Sequence, residues 1–197
     1  MGIGMKRILT AIVTAAALFA GLGSATADQE FNPIQQLFGL GGGYSGSGAG
    51  PIPRTTVNFE GNYAPGTIVV NTAERRLYLV QGDGRALRYG IGVGRDGFRW
   101  GGTHRITAKK EWPAWTPPSQ MLARRPDLPR HMVGGPDNPL GARAMYLGST
   151  LYRIHGSNEP ETIGQAVSSG CFRMVNDDVI DLYSRVPVGT TVIVKNN

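Results

Sequence analysis

The sequence has a single cysteine, three histidines and no block of like charge, and each scarcity removes a class of protein. One thiol, Cys171, cannot make an internal disulfide framework. His104, His131 and His155 lie far apart and lack the paired short spacings of zinc sites, so no metal and no other cofactor is called for. Charged residues make up 17% of the chain and the arginines are scattered, which argues against a nucleic-acid-binding stripe. Gly90-Ile91-Gly92-Val93-Gly94 lacks the following helix and the Lys or acidic partner of a nucleotide loop. There is no internal repeat to suggest a solenoid.

An apolar run of the roughly 20 residues that cross a bilayer is also missing, because Gly21, Gly23 and Ser24 interrupt the stretch that starts at Ile8. What stands there instead is a secretory signal over residues 1–27. Lys6 and Arg7 give it a positive start, Ile8 to Leu22 an apolar middle, and Ala25-Thr26-Ala27 a small-x-small cleavage site. Export to the periplasm or cell envelope is therefore expected. Loss of Lys6 and Arg7 lowers the formal charge from +6 to +4, a mild basic excess suited to an anionic polymer and equally to ordinary solubility.

Residues 28–64 read as a flexible tether, since Gly39 to Gly50 is low in complexity and offers little apolar surface to offset its ordering entropy. One compact domain is expected over 65–197. Thr67 to Asn71, Arg76 to Val80 and Ala86 to Val93 form a β-meander with short turns, and further strands fit His104 to Lys109, Ala144 to Leu147, Leu151 to Ile154 and Thr190 to Val194. A turn of helix fits Gln120 to Arg124. Asn176 can cap a second helix whose apolar face is Val179, Leu182, Tyr183 and Val186. The fold class is mainly β, a sandwich or open barrel with one or two short helices. A single domain of this kind is most simply a monomer.

The segment that carries chemistry is Ile154-His155-Gly156-Ser157-Asn158, followed after a loop by Ser168-Ser169-Gly170-Cys171-Phe172-Arg173. A thiol reacts as thiolate, and an imidazole beside it can take up and return the proton of an acyl transfer. Gly156 and Gly170 each remove a Cβ beside a reactive residue. Backbone N–H groups around Gly170 and Cys171 can then meet a developing oxyanion. Ser168 suits a local hydrogen bond that orients the loop or His155, and Arg173 either an ion pair or a substrate carboxylate. Trp112, Trp115 and Tyr146 fit packing better than a binding groove.

These residues resemble the signature of the L,D-transpeptidase catalytic domain, also called the YkuD domain. His155-Gly156, the spacer, Ser168, Gly170, Cys171, Phe172 and Arg173 match its pattern in order, and Ser169 replaces a histidine. The resemblance extends over about Pro65 to Lys195 and includes Asn138 to Arg143. It implies that Cys171 is the nucleophile, His155 its base, and peptidoglycan tetrapeptide stems the substrate. It further implies a thioester intermediate and an acceptor that is a second stem, an envelope protein's lysine or water. Water would make the protein an L,D-carboxypeptidase, and Ser169 keeps open a catalytically weak wall-binding module. An ion-pair version of the chemistry expects the Cys171 thiol to titrate below its ordinary value of about 8.5.

Overall fold

The computed structural model describes residues 50–197, so the expected signal and most of the expected tether lie outside the described residues. Eleven strands are present: β1 Thr55–Asn58, β2 Ile68–Asn71, β3 Arg76–Gly82, β4 Arg85–Gly90, β5 Val93–Gly94, β6 Gly102–Glu111, β7 Arg143–Leu147, β8 Arg153–His155, β9 Ala166–Ser168, β10 Phe172–Arg173 and β11 Thr191–Lys195. The helices among the described residues are α1, Ser119–Arg124, and α2, Asn176–Arg185. Nine strands run in the order β1-β4-β3-β2-β11-β6-β7-β8-β10, while β5 and β9 form a separate parallel pair.

Local sequence accounts for the meander. Asp83 and Gly84 both adopt positive φ, 49° and 66°, as a two-residue hairpin turn requires between β3 and β4. Asn71 Oδ1 accepts the Glu74 N–H at 3.1 Å and closes the turn from β2 to β3. Strand β2 is buried on both faces except at its last residue, which fits its β-branched Ile68-Val69-Val70 and its central place in the sheet.

Strand β6 turns the corner of the fold. Its first half pairs with β11 and its second half with β7, with a register shift between Ile106 and Ala108. Lys109, in the second half, reaches α2 and donates to the Tyr183 and Val186 carbonyls, both at 2.7 Å. A cation on the last carbonyls of a helix also complements its dipole. The far edge curls back, since Gly92 and Arg173 exchange backbone hydrogen bonds. Tyr89, Ile106, Met145, Ile154, Phe172 and Leu182 fill the resulting core, all at or near zero exposure.

Two expectations need correction. The sheet takes in Thr55–Asn58, inside the stretch assigned to the tether, because β1 pairs with β4 and the residues before it pack on the domain. Ile52 sits where a side chain at Gly90 or Gly164 would stand, and Arg54 meets Asp178 and Asp181, both at 3.3 Å. Asn176 does not cap α2 either. Val175 occupies that position with no side-chain cap, and Asn176 Oδ1 instead accepts the Ala142 N–H at 2.9 Å.

Burial beneath Arg54 raises the Asp178 carboxyl from 3.8 to about 6, although the guanidinium pulls the other way. The folded chain then holds this proton more tightly than the unfolded chain does, so the group adds stability as pH falls from about 6 to 3.8. Asp178→Asn should abolish that increment, read as the difference between wild-type and variant urea unfolding free energies across the same window. A difference that does not vary with pH would refute the assignment.

Candidate active site

His155 and Cys171 reach one cavity because β8 and β10 are parallel neighbours, with Ile154 opposite Phe172 and His155 opposite Arg173. The crossover between them contains a 3-10 turn at Pro160–Thr162 and strand β9. Alternation along a strand sends Ile154 and Phe172 into the core, and it places Arg153 and His155 on the opposite face together with Arg173. Continuing the register one step back sets Cys171 level with Arg153. His155, Arg153, Cys171 and Arg173 all line one cavity of about 280 Å³. Ser168 and Ser169 line it too, and Trp115, Met121 and Arg124 wall its far side.

His155 is 4% exposed, and its Nδ1 lies 2.6 Å from the Gly156 carbonyl oxygen. A carbonyl can only accept, so Nδ1 carries the proton and the neutral ring keeps its lone pair on Nε2. Burial pushes the imidazole down to about 3, the Gly156 hydrogen bond opposes this, and the charges of Arg173 and Arg153 lower it further. Cys171 is half-buried, and its thiol faces the Leu151 carbonyl at 3.8 Å. Burial raises the thiol's pKa, while Arg153, through its charge and its backbone N–H, and Arg173 offset part of the rise. The resting pair is therefore a neutral thiol and a neutral imidazole. The ion-pair expectation is not met because desolvation at both groups outweighs the guanidinium fields.

The loop before Cys171 is held from three sides. Ser168 Oγ donates to the Cys171 carbonyl at 2.6 Å and accepts the Gly170 N–H at 3.1 Å. Trp100 Nε1 donates to the Gly170 carbonyl at 2.6 Å, and its ring stacks on Tyr152 at 4.3 Å. Gly170 has φ 109°, and a Cβ there would stand 2.5 Å from Tyr152 Cε1. The Gly170 N–H, expected to meet an oxyanion, is thus already donated to Ser168. The Cys171 N–H has no backbone acceptor in the described chain and is the donor left for that role. Gly156 leaves room for Asn176 Oδ1 and for the backbone of Gly141 and Ala142.

Arg173 donates to Glu159 Oε2 at 2.8 Å. Trp115 lies on the cavity wall, and Tyr146 lies beneath the Arg153 guanidinium at 5.4 Å. His104 packs edge-on to Trp100 and His131 Nδ1 contacts Thr116 Oγ1, and neither lines the cavity. Among the described residues no three His, Cys, Asp or Glu side chains converge as a metal site would need. Sequence reasoning missed Arg153, Trp100 and Tyr152. The period of two on β8 was a usable signal for Arg153, whereas nothing local ties Trp100 to a loop seventy residues away.

Residues 65–194 match the model of the L,D-transpeptidase catalytic domain, YkuD. The chain is 42% identical over 134 residues to the probable L,D-transpeptidase YbiS of Escherichia coli K12, an overlap of 64% of this chain and 43% of that protein. It is 38% identical over 128 residues to a putative L,D-transpeptidase from the ATP synthase subunits region of Fuscovulum blasticum, covering 64% and 67% of the two chains. The chain thus spans less than half the length of the E. coli relative.

Among solved structures, a Brucella melitensis protein described as a probable carnitine operon oxidoreductase is 49% identical, with a TM-score of 0.50 over 71% of this chain and 91% of that one. An L,D-transpeptidase from Mycobacterium smegmatis, 18% identical with a TM-score of 0.53 over 66% and 58%, shares the fold. A shared fold does not transfer a reaction, so the name of the Brucella protein stays with that protein.

Two outcomes test this geometry. Alkylation of Cys171 by iodoacetamide should keep accelerating beyond pH 9, because burial raises the thiol's pKa above its ordinary value. A plateau reached near neutrality would restore the ion pair. Gly170→Ala should fold yet lose about 100-fold in acylation rate, the order expected when a reacting atom is misplaced by an ångström. Wild-type acylation in that variant would show the loop clamp to be unimportant.

Proposed function

The chain belongs to the L,D-transpeptidase catalytic domain family, and on that premise we propose that it is an exported cysteine acyltransferase acting on peptidoglycan tetrapeptide stems. The observation that supports this best is the convergence of Cys171 and His155 on one cavity, with the Nε2 lone pair free to act as base. The signal read from residues 1–27 would deliver the protein to the periplasm, where this substrate lies.

In the proposed reaction Cys171 attacks the carbonyl carbon of the third stem residue as its proton passes to His155 Nε2. A neutral base suits a neutral thiol, since the proton moves during attack instead of beforehand. The Cys171 N–H and the guanidiniums of Arg153 and Arg173 face the negative charge that develops on oxygen. When the C–N bond breaks, His155 returns the proton to the departing D-alanine nitrogen and a thioester remains on Cys171. Arg173, steadied by Glu159, contacts the bound stem.

A second stem amine, deprotonated by His155, then attacks the thioester, forms the 3→3 cross-link and releases the thiol. A lysine of an envelope protein in the same place would attach that protein to the wall. Water there would give L,D-carboxypeptidase activity. All three outcomes share the acyl-enzyme.

Intact-mass measurement after incubation with a disaccharide-tetrapeptide should reveal a Cys171 adduct that is absent in Cys171→Ala. His155→Ala should remain folded and acylate about 100- to 10,000-fold more slowly, the usual contribution of a general base. Absence of any adduct on the wild-type protein would refute the acyltransferase reading.

A further inference from the structure

We propose that Arg153 binds the free α-carboxylate of the residue expelled from the acyl donor, and so selects donors that end in that carboxylate. This rests on the acyl-transfer reading above and adds to it a group with no place in the matched motif.

Arg153 lines the catalytic cavity, yet its guanidinium makes no hydrogen bond and no ion pair among the described residues. Its Nε is buried without a partner. The face of Tyr146 lies 5.4 Å from the guanidinium carbon and orients the fork without neutralising it. Arg88 also has a buried, unpartnered Nε, but it lies on β4 outside this cavity. Arg173 differs, because one of its nitrogens is already committed to Glu159. A buried N–H without an acceptor is costly, so the cavity lacks an acceptor beside the half-buried Arg153.

Substrate chemistry supplies the missing anion at the required place. In a tetrapeptide stem the scissile nitrogen and the terminal carboxylate are bonded to the same carbon. A carbonyl held at Cys171 therefore keeps its leaving carboxylate within a few bonds, a reach comparable to the ~4.8 Å between neighbouring strands such as β8 and β10. Arg153 stands across that gap, opposite Cys171 and on the same face. A planar guanidinium can hold a carboxylate through paired hydrogen bonds. A donor ending in a carboxamide, or extended by a further residue, would leave Arg153 unpaired.

The test compares single-turnover acylation of the full protein by a tetrapeptide stem and by the same stem with a C-terminal carboxamide. Wild type should prefer the acid. Arg153→Gln should lose about 10- to 100-fold more on the acid than on the amide, the range expected for a charge-assisted hydrogen bond. Arg153→Lys keeps the charge without the fork and should lose about 3- to 10-fold of the preference. Arg173→Gln should keep the acid-to-amide ratio even where both rates fall. Thermal midpoints and iodoacetamide alkylation check that each variant is folded, and should Arg153→Gln fail to fold, Arg153→Lys carries the comparison. An unchanged ratio in the Arg153 variants, or its loss in Arg173→Gln alone, would overturn the assignment. Wild type acylated by neither stem would instead remove the acyl-transfer reading itself, and this inference with it.

Discussion

The parallel pairing of β8 with β10 is the constraint on which the site depends. Two strands of two and three residues, joined by a crossover, bring together groups that are sixteen positions apart. Ile154 and Phe172 fix the register from below, since both are buried in the core and a slip by one residue would turn them outward. The same slip would carry His155 and Arg173 inward. Apolar packing on one face of the pair therefore enforces the geometry of the candidate site on the other. The crossover is in turn tied to the segment after β4, where the Ile91 carbonyl accepts the Gly164 N–H and the Val93 N–H donates to the Gln165 carbonyl.

The electrostatics follow from where this pair sits. Close to the core, both the imidazole and the thiol lose water, and each settles in its neutral form. Two arginines on the same face then provide a positive field with little to neutralise it, apart from Glu159 at the edge. Such a site holds little charge of its own in the reactive groups and is arranged for charge that arrives or develops. That separates preorganised field from preformed nucleophile, two strategies that a Cys-His pair alone does not distinguish.

Much of this was legible in the chain. The β-branched runs of β2 and β11, the Asp83-Gly84 turn and the amphipathic stripe of α2 are local patterns, and each forms within a residue or two of its expected place. His155 and Cys171 stood out because their types and spacing carry chemistry. Strands as short as β5, β9 and β10 carry no period of their own and exist only through their partners, so no window of sequence announces them. The same holds for Trp100 and Asn176, whose hydrogen bonds to Gly170 and Ala142 reach residues far along the chain. Desolvation was equally hidden, because the sequence names the titrating groups and leaves out their surroundings.

The segment from Ile52 to Asn58 gives the domain boundary a different meaning. The family match begins at 65. The folding unit begins earlier, for Ile52 fills space kept open by Gly90 and Gly164, Arg54 is the cation over two helix carboxylates, and β1 covers the open edge of β4. A protein trimmed to the matched region would expose a strand edge and leave Asp178 and Asp181 facing each other without Arg54. A stretch that lies outside the family match thus serves as the seam that closes the structure.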